Sequence, residues 1–516
     1  MATSWTGSQL GFKSPLRVVI GFLRRSRDLK ADKCRSLKRD LDKANQTLLK
    51  RHLELERKTE RLAELERRVR QLENESRTGQ LCLPADPPVG THGYGARIVC
   101  LSCALAQAVG FRSSERVLKV VFEWLGVEQK IPNHTTIRHW FQRVGLATIK
   151  EPLEKADDWV WLADHSNQIG PEKVMGVLAI RASQLPQVGT TMKHEHLRVL
   201  TVQPGTSWKK EAVADVYQQL ARQYGAPRAV LADGAAELRE AVEPLKKLRS
   251  DVLTLHDFKH KAANLFKALI SKEPRFSEFN AQLGNTRCSI QQTELAHLTP
   301  PSLKQKARFM NLGPQLKWAK TLLGLLQHPE AECHRWVTPK RLEDKLGWLR
   351  GFADDLDSWH ECQQVINVGL KQINEEGLSR GTAERFRLNV GDLKHALSRQ
   401  LADQLIEFLH NAETQLKPDE RLPLSTEILE SSFALYKQLE RQHSQGGFTS
   451  LLASFAALLR KPTPESIRRS FASVSTNDVK QWIRDNLGTT LSSKRLATYQ
   501  EMKRLAAGAK VSVAPT

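Results

Sequence analysis

Two aspartates stand at the ends of short apolar runs. Trp159-Val160-Trp161-Leu162-Ala163 ends at Asp164, and Arg228-Ala229-Val230-Leu231-Ala232 ends at Asp233 and Gly234. Singly, each fits a turn former or a helix cap. As neighbours at two strand ends their carboxylates would repel and one pKa would rise. A divalent cation resolves that conflict. Two Mg²⁺ (or Mn²⁺) ions roughly 3.5 to 4 Å apart would activate a water or a 3′-hydroxyl and stabilise the leaving oxygen of an in-line phosphoryl displacement. Mg²⁺ keeps several waters, so two aspartates and one further acid suffice. The third acid is sought in Ser425-Thr426-Glu427-Ile428-Leu429-Glu430, followed by Lys437. Glu430 and Lys437 are spaced by about two helical turns and share a face. Glu427 lies one turn before Glu430 and is the second choice. Asp257-Phe258-Lys259-His260 follows another apolar run. There His260 either holds a phosphate near the site or is an ordinary helix residue.

These acids need a sheet to position them. Between residues 157 and 270 the hydrophobic period is strand-like: the run ending at Asp164, then Val174 to Ile180, then Leu197 to Val202, able to form an antiparallel meander. A helical stretch from Lys209 to Tyr224, the run ending at Asp233, a helix to Arg249 and Val252-Leu253-Thr254-Leu255 complete the segment. Three strands, helix, strand, helix, strand is the order of a ribonuclease-H-like fold, so the expected class is mainly α with an α/β core.

Before that core, Leu41, Leu48, Leu55, Leu62 and Val69 recur every seven residues, with Ala44, Arg51, Lys58, Leu65 and Leu72 three positions on. One column is solid and the other broken, which fits a self-associating coiled coil or a single solvated helix. Thr78-Gly79 and Pro84, Pro87, Pro88 and Gly90 form a linker. Three helices are expected from Ala96 to Leu146: one ending at Gly110, one N-capped at Ser113-Ser114 and stopping at Gly126, and one entered through Pro132-Asn133-His134-Thr135-Thr136. Ile137, Trp140 and Phe141 share a face of the third, as in a helix-turn-helix recognition helix. Thr135, Arg138 and His139 are then placed at DNA, with Arg143 on a phosphate; the alternative is an ordinary helical hairpin.

Residues 270 to 430 are dense in Leu, Trp, Lys and Arg at helical spacing. Trp318, Trp336, Trp348 and Trp359 either stack on distorted DNA or fill a core. Gly446-Gly447 is expected to break the helix that carries Glu430, and a basic tail from Arg460 to Lys510 follows. The expected divisions are 1–79, 80–150, 155–270, 271–424 and 425–516.

The 516 residues carry 78 Lys plus Arg against 57 Asp plus Glu, a net charge of +21, which suits a protein lying on a polyanion. Seven cysteines without regular spacing make no disulfide framework. Cys100 and Cys103 form a CxxC pair that fits buried helix thiols, or less readily zinc, since no second close pair follows. No apolar run approaches the ~18 residues of a membrane span, and no secretory signal is evident, so a cytoplasmic protein is expected.

The stretches Leu162-Ala163-Asp164-His165-Ser166-Asn167-Gln168-Ile169-Gly170 and Val230-Leu231-Ala232-Asp233-Gly234 resemble the two aspartate strands of DDE transposases of bacterial insertion sequences. The Glu430 to Lys437 spacing is similar to that of their last catalytic helix, and Asp257 with His260 to a motif downstream of their second aspartate. The resemblance covers roughly residues 95 to 450. It implies a ribonuclease-H-like core interrupted by a helical insertion, metal held by Asp164, Asp233 and Glu430, and transposon-end phosphate on Lys437. It further implies binding of terminal inverted repeats in double-stranded DNA, strand cleavage and transfer, a homo-oligomer and a bacterial nucleoid setting. The rival expectations are a non-catalytic DNA-binding regulator with a degenerate core, and a metal-dependent nuclease without strand transfer.

Overall fold

The computed structural model describes residues 16–75, 86–90, 93–167, 173–302, 312–328, 337–441, 449–487 and 491–511. Trp336, Thr78-Gly79, Pro84 and Gly446-Gly447 lie outside them, as do the side chains of Ala44, Val69 and Leu72. The chain divides into two units, residues 1–83 with 122–128, and residues 84–121 with 129–516. None of the described helices is long and apolar enough to cross a membrane.

The first unit is dominated by one 60-residue helix, α1 (Leu16–Glu75). Leu41, Leu48, Leu55 and Leu62 of the heptad column are 59 to 62% exposed, so the stripe is not covered within this unit. Surface pairs such as Lys58 with Glu54 at 3.6 Å add little.

The second unit opens with α2 (Ala96–Val109), α3 (Phe111–Trp124), whose last three residues are counted with the first unit, and α4 (His134–Ile149). The expected cap at Ser113-Ser114 is corrected: α3 begins at Phe111, and the Ser114 hydroxyl donates to the Gly110 carbonyl at 2.7 Å from inside the helix. Asn133 caps α4, its side chain accepting the Thr136 N–H at 2.9 Å.

The sheet follows: β1 (Trp159–Asn167), β2 (Lys173–Arg181), β3 (Arg198–Gly205), then α5 (Lys210–Tyr224), β4 (Ala229–Ala232), α6 (Ala236–Glu240), α7 (Glu243–Leu248) and β5 (Leu253–His256). Its spatial order is β3-β2-β1-β4-β5, with β1 antiparallel to β2, β2 antiparallel to β3, and β4 and β5 parallel to β1. β2, β4 and the first half of β1 read as continuous apolar segments because both faces are covered, whereas β5 alternates buried and half-buried positions. Trp159, Trp161 and Ala163 pack with Val213, Tyr217 and Leu220 of α5. The opposite face holds Leu162 and, two residues on, Asp164.

From α8 (Phe258–Ile270) the chain leaves the sheet through α9 (Pro274–Ile290), α10 (Gly313–Gln327), α11 (Pro339–Leu346), α12 (Ala353–Glu376), α13 (Thr382–Val390) and α14 (Ala396–Glu413). Trp348 and Trp359 sit in an aromatic core with Phe276, Phe279 and Phe352, and the Trp318 indole N–H donates to the Leu298 carbonyl at 2.8 Å. Those two indoles fill a core, as one of the two sequence readings had it.

The chain then returns to the sheet. Leu422 pairs with Leu378 through two backbone bonds, and the Leu424 carbonyl accepts the Phe258 N–H at 3.0 Å. Buried Arg228, at the entry to β4, grips Glu420 with two bonds of 2.6 and 2.7 Å. This return delivers α15 (Glu427–Arg441), followed by α16 (Phe455–Leu458), α17 (Pro464–Ser473), α18 (Thr476–Asn486) and α19 (Leu491–Val511).

Gly176 of β2, the register partner of Asp164, is what lets α15 approach: a Cβ there would stand 2.7 Å from Cζ of Phe433. Gly176→Ala is therefore expected to destabilise the second unit by about 1–3 kcal/mol through overpacking. Denaturant unfolding followed by circular dichroism checks this; a loss under half a kcal/mol would contradict the close approach.

Candidate active site

Parallel pairing of β1 with β4 sets Ala163 beside Ala232, so the next residues, Asp164 and Asp233, follow the last paired position of the two strands; Asp233 leaves the sheet there, whereas β1 does not end at Asp164 as expected but runs on to Asn167, paired with β2. Asp233 caps its own turn by accepting the Ala235 N–H at 2.8 Å. Gly234 has φ +89°, and a Cβ there would collide with the His256 ring. Asp164 accepts the His165 N–H at 2.6 Å. Burial, then the charge of Asp233, push the Asp164 carboxyl up to about 7 against that hydrogen bond and His260, and Glu430 adds to the rise.

The fifth strand supplies the support. Asp257, fully buried, caps α8: one oxygen accepts the His260 N–H at 2.7 Å and faces His260 Nδ1 at 2.9 Å. Its other oxygen accepts the Thr426 N–H at 2.6 Å and the Thr426 hydroxyl at 3.0 Å. One carboxylate thus fixes both the ring of His260 and the residue preceding α15. Burial raises Asp257, but the His260 and Thr426 hydrogen bonds outweigh it and hold it below the ordinary value. The Asp257 hydrogen bond in turn holds the His260 imidazole above its ordinary value despite burial, with Glu430 and Asp233 contributing.

On α15, Glu430 meets Lys259 at 2.9 Å and His260 Nε2 at 3.7 Å, while Glu427 meets the same Lys259 at 3.0 Å. The other Glu427 oxygen accepts from Asn374 Nδ2 at 2.7 Å, turning that side chain towards α12. Burial pulls Lys259 down, yet the two glutamates leave it above its ordinary value. Lys437 is half-buried two turns beyond Glu430.

Asp164, Asp233, His260 and Glu430 are therefore close enough to act on one another electrostatically. Lys259, Thr426 and Gly176 were not singled out from sequence; Lys259 lies inside the quoted Asp257 to His260 motif, which was its one available signal. As arranged, no group of three or more His, Cys, Asp and Glu side chains among the described residues forms a metal cage, and Lys259 is the cation that Glu430 faces. The donors that Asp164, Asp233 and Glu430 offer are nonetheless all carboxylate oxygens, with Asp164 raised first by burial and then by Asp233. That chemistry suits a hard divalent cation.

The signs of the shifts predict a pH effect. Asp164, with its folded value near 7 against an ordinary 3.8, favours folding while protonated and loses that contribution as pH rises towards and through 7. His260, raised above 6.5, contributes below 6.5 and is lost as pH rises through its folded value. Histidines lowered by burial, such as His165 and His256, act oppositely, but their contribution is nearly complete about one unit above 6.5. Without divalent cations, the wild type is expected to lose stability relative to Asp164→Asn as pH rises from about 4 to 7, with little further divergence above 7. Melting temperatures of the two proteins that run parallel across that range would contradict the assignment.

The expected DNA-reading helix is more enclosed than its sequence implied. α4 packs against α2, α16, α17 and α18, with Gln142, Val144, Gly145, Leu146 and Ala147 buried as well as Ile137, Trp140 and Phe141. Its apolar side is anchored as expected, and the residues expected at DNA lie in its first turns. Thr135 and His139 are at the surface and Arg138 is half-buried. Burial, Arg138 and Lys480 push His139 below its ordinary value. Arg143 points inward, bonded to the carbonyls of Val474 and Phe471 and lying 4.1 Å from the Phe471 ring, which corrects its expected place on a phosphate. Cys103 is buried and burial raises its thiol, while Cys100 Sγ donates to the Pro462 carbonyl at 3.3 Å.

No family model matches the chain, and no curated protein does. Among solved structures, the Drosophila P element transposase strand transfer complex is similar at 11% identity and a TM-score of 0.40, over 79% of this chain and 100% of that one. None of the comparisons supports a bacterial insertion-sequence origin.

Proposed function

We propose that the chain is a DNA transposase of the DDE type, with a ribonuclease-H-like core in which Asp164, Asp233 and Glu430 are the metal-holding acids. The observation that carries the reading is that three acids act on one another where the β1–β4 pairing stops: Asp164 within β1, Asp233 just past β4, and Glu430 on a helix docked over them by Asp257 and Thr426. The mixed five-stranded sheet, with β1 antiparallel to β2 and parallel to β4, is compatible with such a core.

Bound Mg²⁺ or Mn²⁺, two ions in the expected case, would supply Lewis-acid stabilisation of a displaced DNA oxygen and lower the pKa of a bound water or 3′-hydroxyl. Asp164 and Asp233 hold charge where that pairing stops. Glu430 contributes from α15 once Lys259 yields it, with Glu427 there to keep the ammonium. His260, oriented by Asp257, is placed to donate a hydrogen bond to a phosphate oxygen, and Lys437 to pair with DNA phosphate further along α15. Cleavage exposing a 3′-hydroxyl, followed by its attack on target phosphate, is the sequence of steps this arrangement serves. Terminal repeats would be bound by the basic surface, including Thr135, Arg138 and His139, and α1 would pair copies through its leucine column.

Comparing Glu430→Gln with Glu427→Gln tests the reading. Loss of strand cleavage by about 100-fold or more, some 2.7 kcal/mol of transition-state stabilisation, is expected in the first and a lesser loss in the second. A Glu430→Gln protein that cleaves as the wild type does would overturn the triad. The second reading, a DNA-binding regulator, is favoured by the present pairing of Glu430 with Lys259 and would bind DNA without dependence on metal.

A further inference from the structure

What covers the apolar column of α1 can be read from the charges in it and beside it. Leu41, Leu48, Leu55 and Leu62 form one column of the heptad, and Leu37 and Leu65 belong to the second, and all six are more than half exposed. Leucines aligned on one face of a 60-residue helix are the seam of a coiled coil, which a second helix of the same pattern can cover. The second column is interrupted by Arg51 and Lys58, and these two residues decide how that helix must run.

In a parallel pair of copies in register, each residue of the second column meets itself. Arg51 would face Arg51 and Lys58 would face Lys58 in successive layers of the seam, and Lys33 would oppose Lys38 at its edge. Flanking pairs such as Arg61 with Glu66 would attract, but exposed pairs contribute little against like charges forced together in the seam. Reversing one helix removes the conflict, because each residue of the first column then faces one of the second. Leu41 meets Leu65 of the second copy, Leu48 meets Lys58, and Leu55 meets Arg51. The two cations lay their aliphatic stems on leucine and keep their charged ends in water. At the edges Lys38 comes beside Glu66 of the second copy and Asp40 beside Arg68, and symmetry repeats both pairs at the other end. All four of these side chains are exposed. Glu54 would meet its own copy at the centre, where Lys58 of its own helix stands 3.6 Å away as a counter-charge.

We propose that α1 forms an antiparallel two-stranded coiled coil with a second copy of this chain, with Leu41 of each copy facing Leu65 of the other. This rests on the reading that α1 pairs copies, and adds the direction and register of the pair. At 1.5 Å per residue the two Glu75 ends stand roughly 65 Å apart, so the chains leave the pair at opposite ends. Cys34, exposed and free, lies three residues before Leu37 in the first column. A parallel pair in register would set it against its own copy, whereas the antiparallel pair holds the two roughly 55 Å apart, beyond any disulfide.

Light scattering of the full chain is expected to give twice the chain mass, and Leu48→Glu with Leu55→Glu to weaken the pair at least about 100-fold with the melting of the second unit unchanged. Direction is read by mild oxidation and peptide mapping. Leu41→Cys and Leu65→Cys chains are expected to link through those two positions when co-expressed, and neither through its new cysteine when expressed alone, while Cys34 links to no second Cys34. A Cys34 to Cys34 link, or a link between two copies of Leu41→Cys, would overturn the proposal and leave pairing through α1 standing. A chain that stays monomeric would overturn both. Neither result bears on the acids, whose test is cleavage.

Discussion

Asp233→Asn is expected to lower metal-dependent strand cleavage by at least about 1,000-fold, or 4 kcal/mol of transition-state stabilisation, while leaving DNA binding near the wild-type level. The amide keeps the shape of the carboxylate and still offers an oxygen to the Ala235 N–H, so the turn after β4 survives. It removes one negative charge from the pair that raises Asp164, and the Asp164 pKa should fall towards the ordinary range. A divalent cation then meets fewer anionic oxygens and binds less tightly. Mn²⁺ binding followed by electron paramagnetic resonance and a labelled-strand assay check both halves. Retained cleavage, or unchanged Mn²⁺ affinity, would contradict the placement of Asp233 at the metal.

Asp257→Ala should be the most destabilising single change at the site, by about 3–5 kcal/mol, because it strips a buried charge from its partners rather than replacing the whole group. Four bonds are lost at once: to the N–H and ring of His260, and to the N–H and hydroxyl of Thr426. The Thr426 N–H would be left buried and unpaired at the entry to α15. Asp257→Asn should recover part of the loss, since its one carbonyl oxygen can still accept. Chemical denaturation checks the ordering, and a loss below about 1 kcal/mol in Asp257→Ala would mean that another contact docks α15.

The central sheet was legible because β2, β4 and the first half of β1 are buried on both faces and so stand out as unbroken apolar runs. Asp164 and Asp233 could be paired from sequence because each follows a similar apolar run, though β1 goes on to Asn167 where its run was expected to end. Glu430 was reached by helical spacing alone, and spacing could not reveal that Lys259, about 170 residues earlier, would bridge it to Glu427. The enclosure of α4 was hidden for the same reason. Its apolar face at Ile137, Trp140 and Phe141 was plain, but its other cover comes from residues 449–486, beyond the insertion. Gly145 was the available signal: a Cβ there would stand 2.6 Å from Cα of Ser454, which no outward-facing position demands. Arg143 looked like a phosphate contact because a cation on a helix is usually solvated, and only the tertiary fold turns it onto Phe471.

The measurement that tests the central claim most directly is cleavage of a labelled duplex carrying the sequence that borders the chain's own gene, with any terminal repeats it holds, in Mg²⁺, in Mn²⁺ and in EDTA. The account predicts nicking at the repeat boundary in the presence of either metal and none in EDTA. Sequence-specific binding without cleavage in either metal would contradict it and leave a DNA-binding protein whose clustered acids serve only its fold.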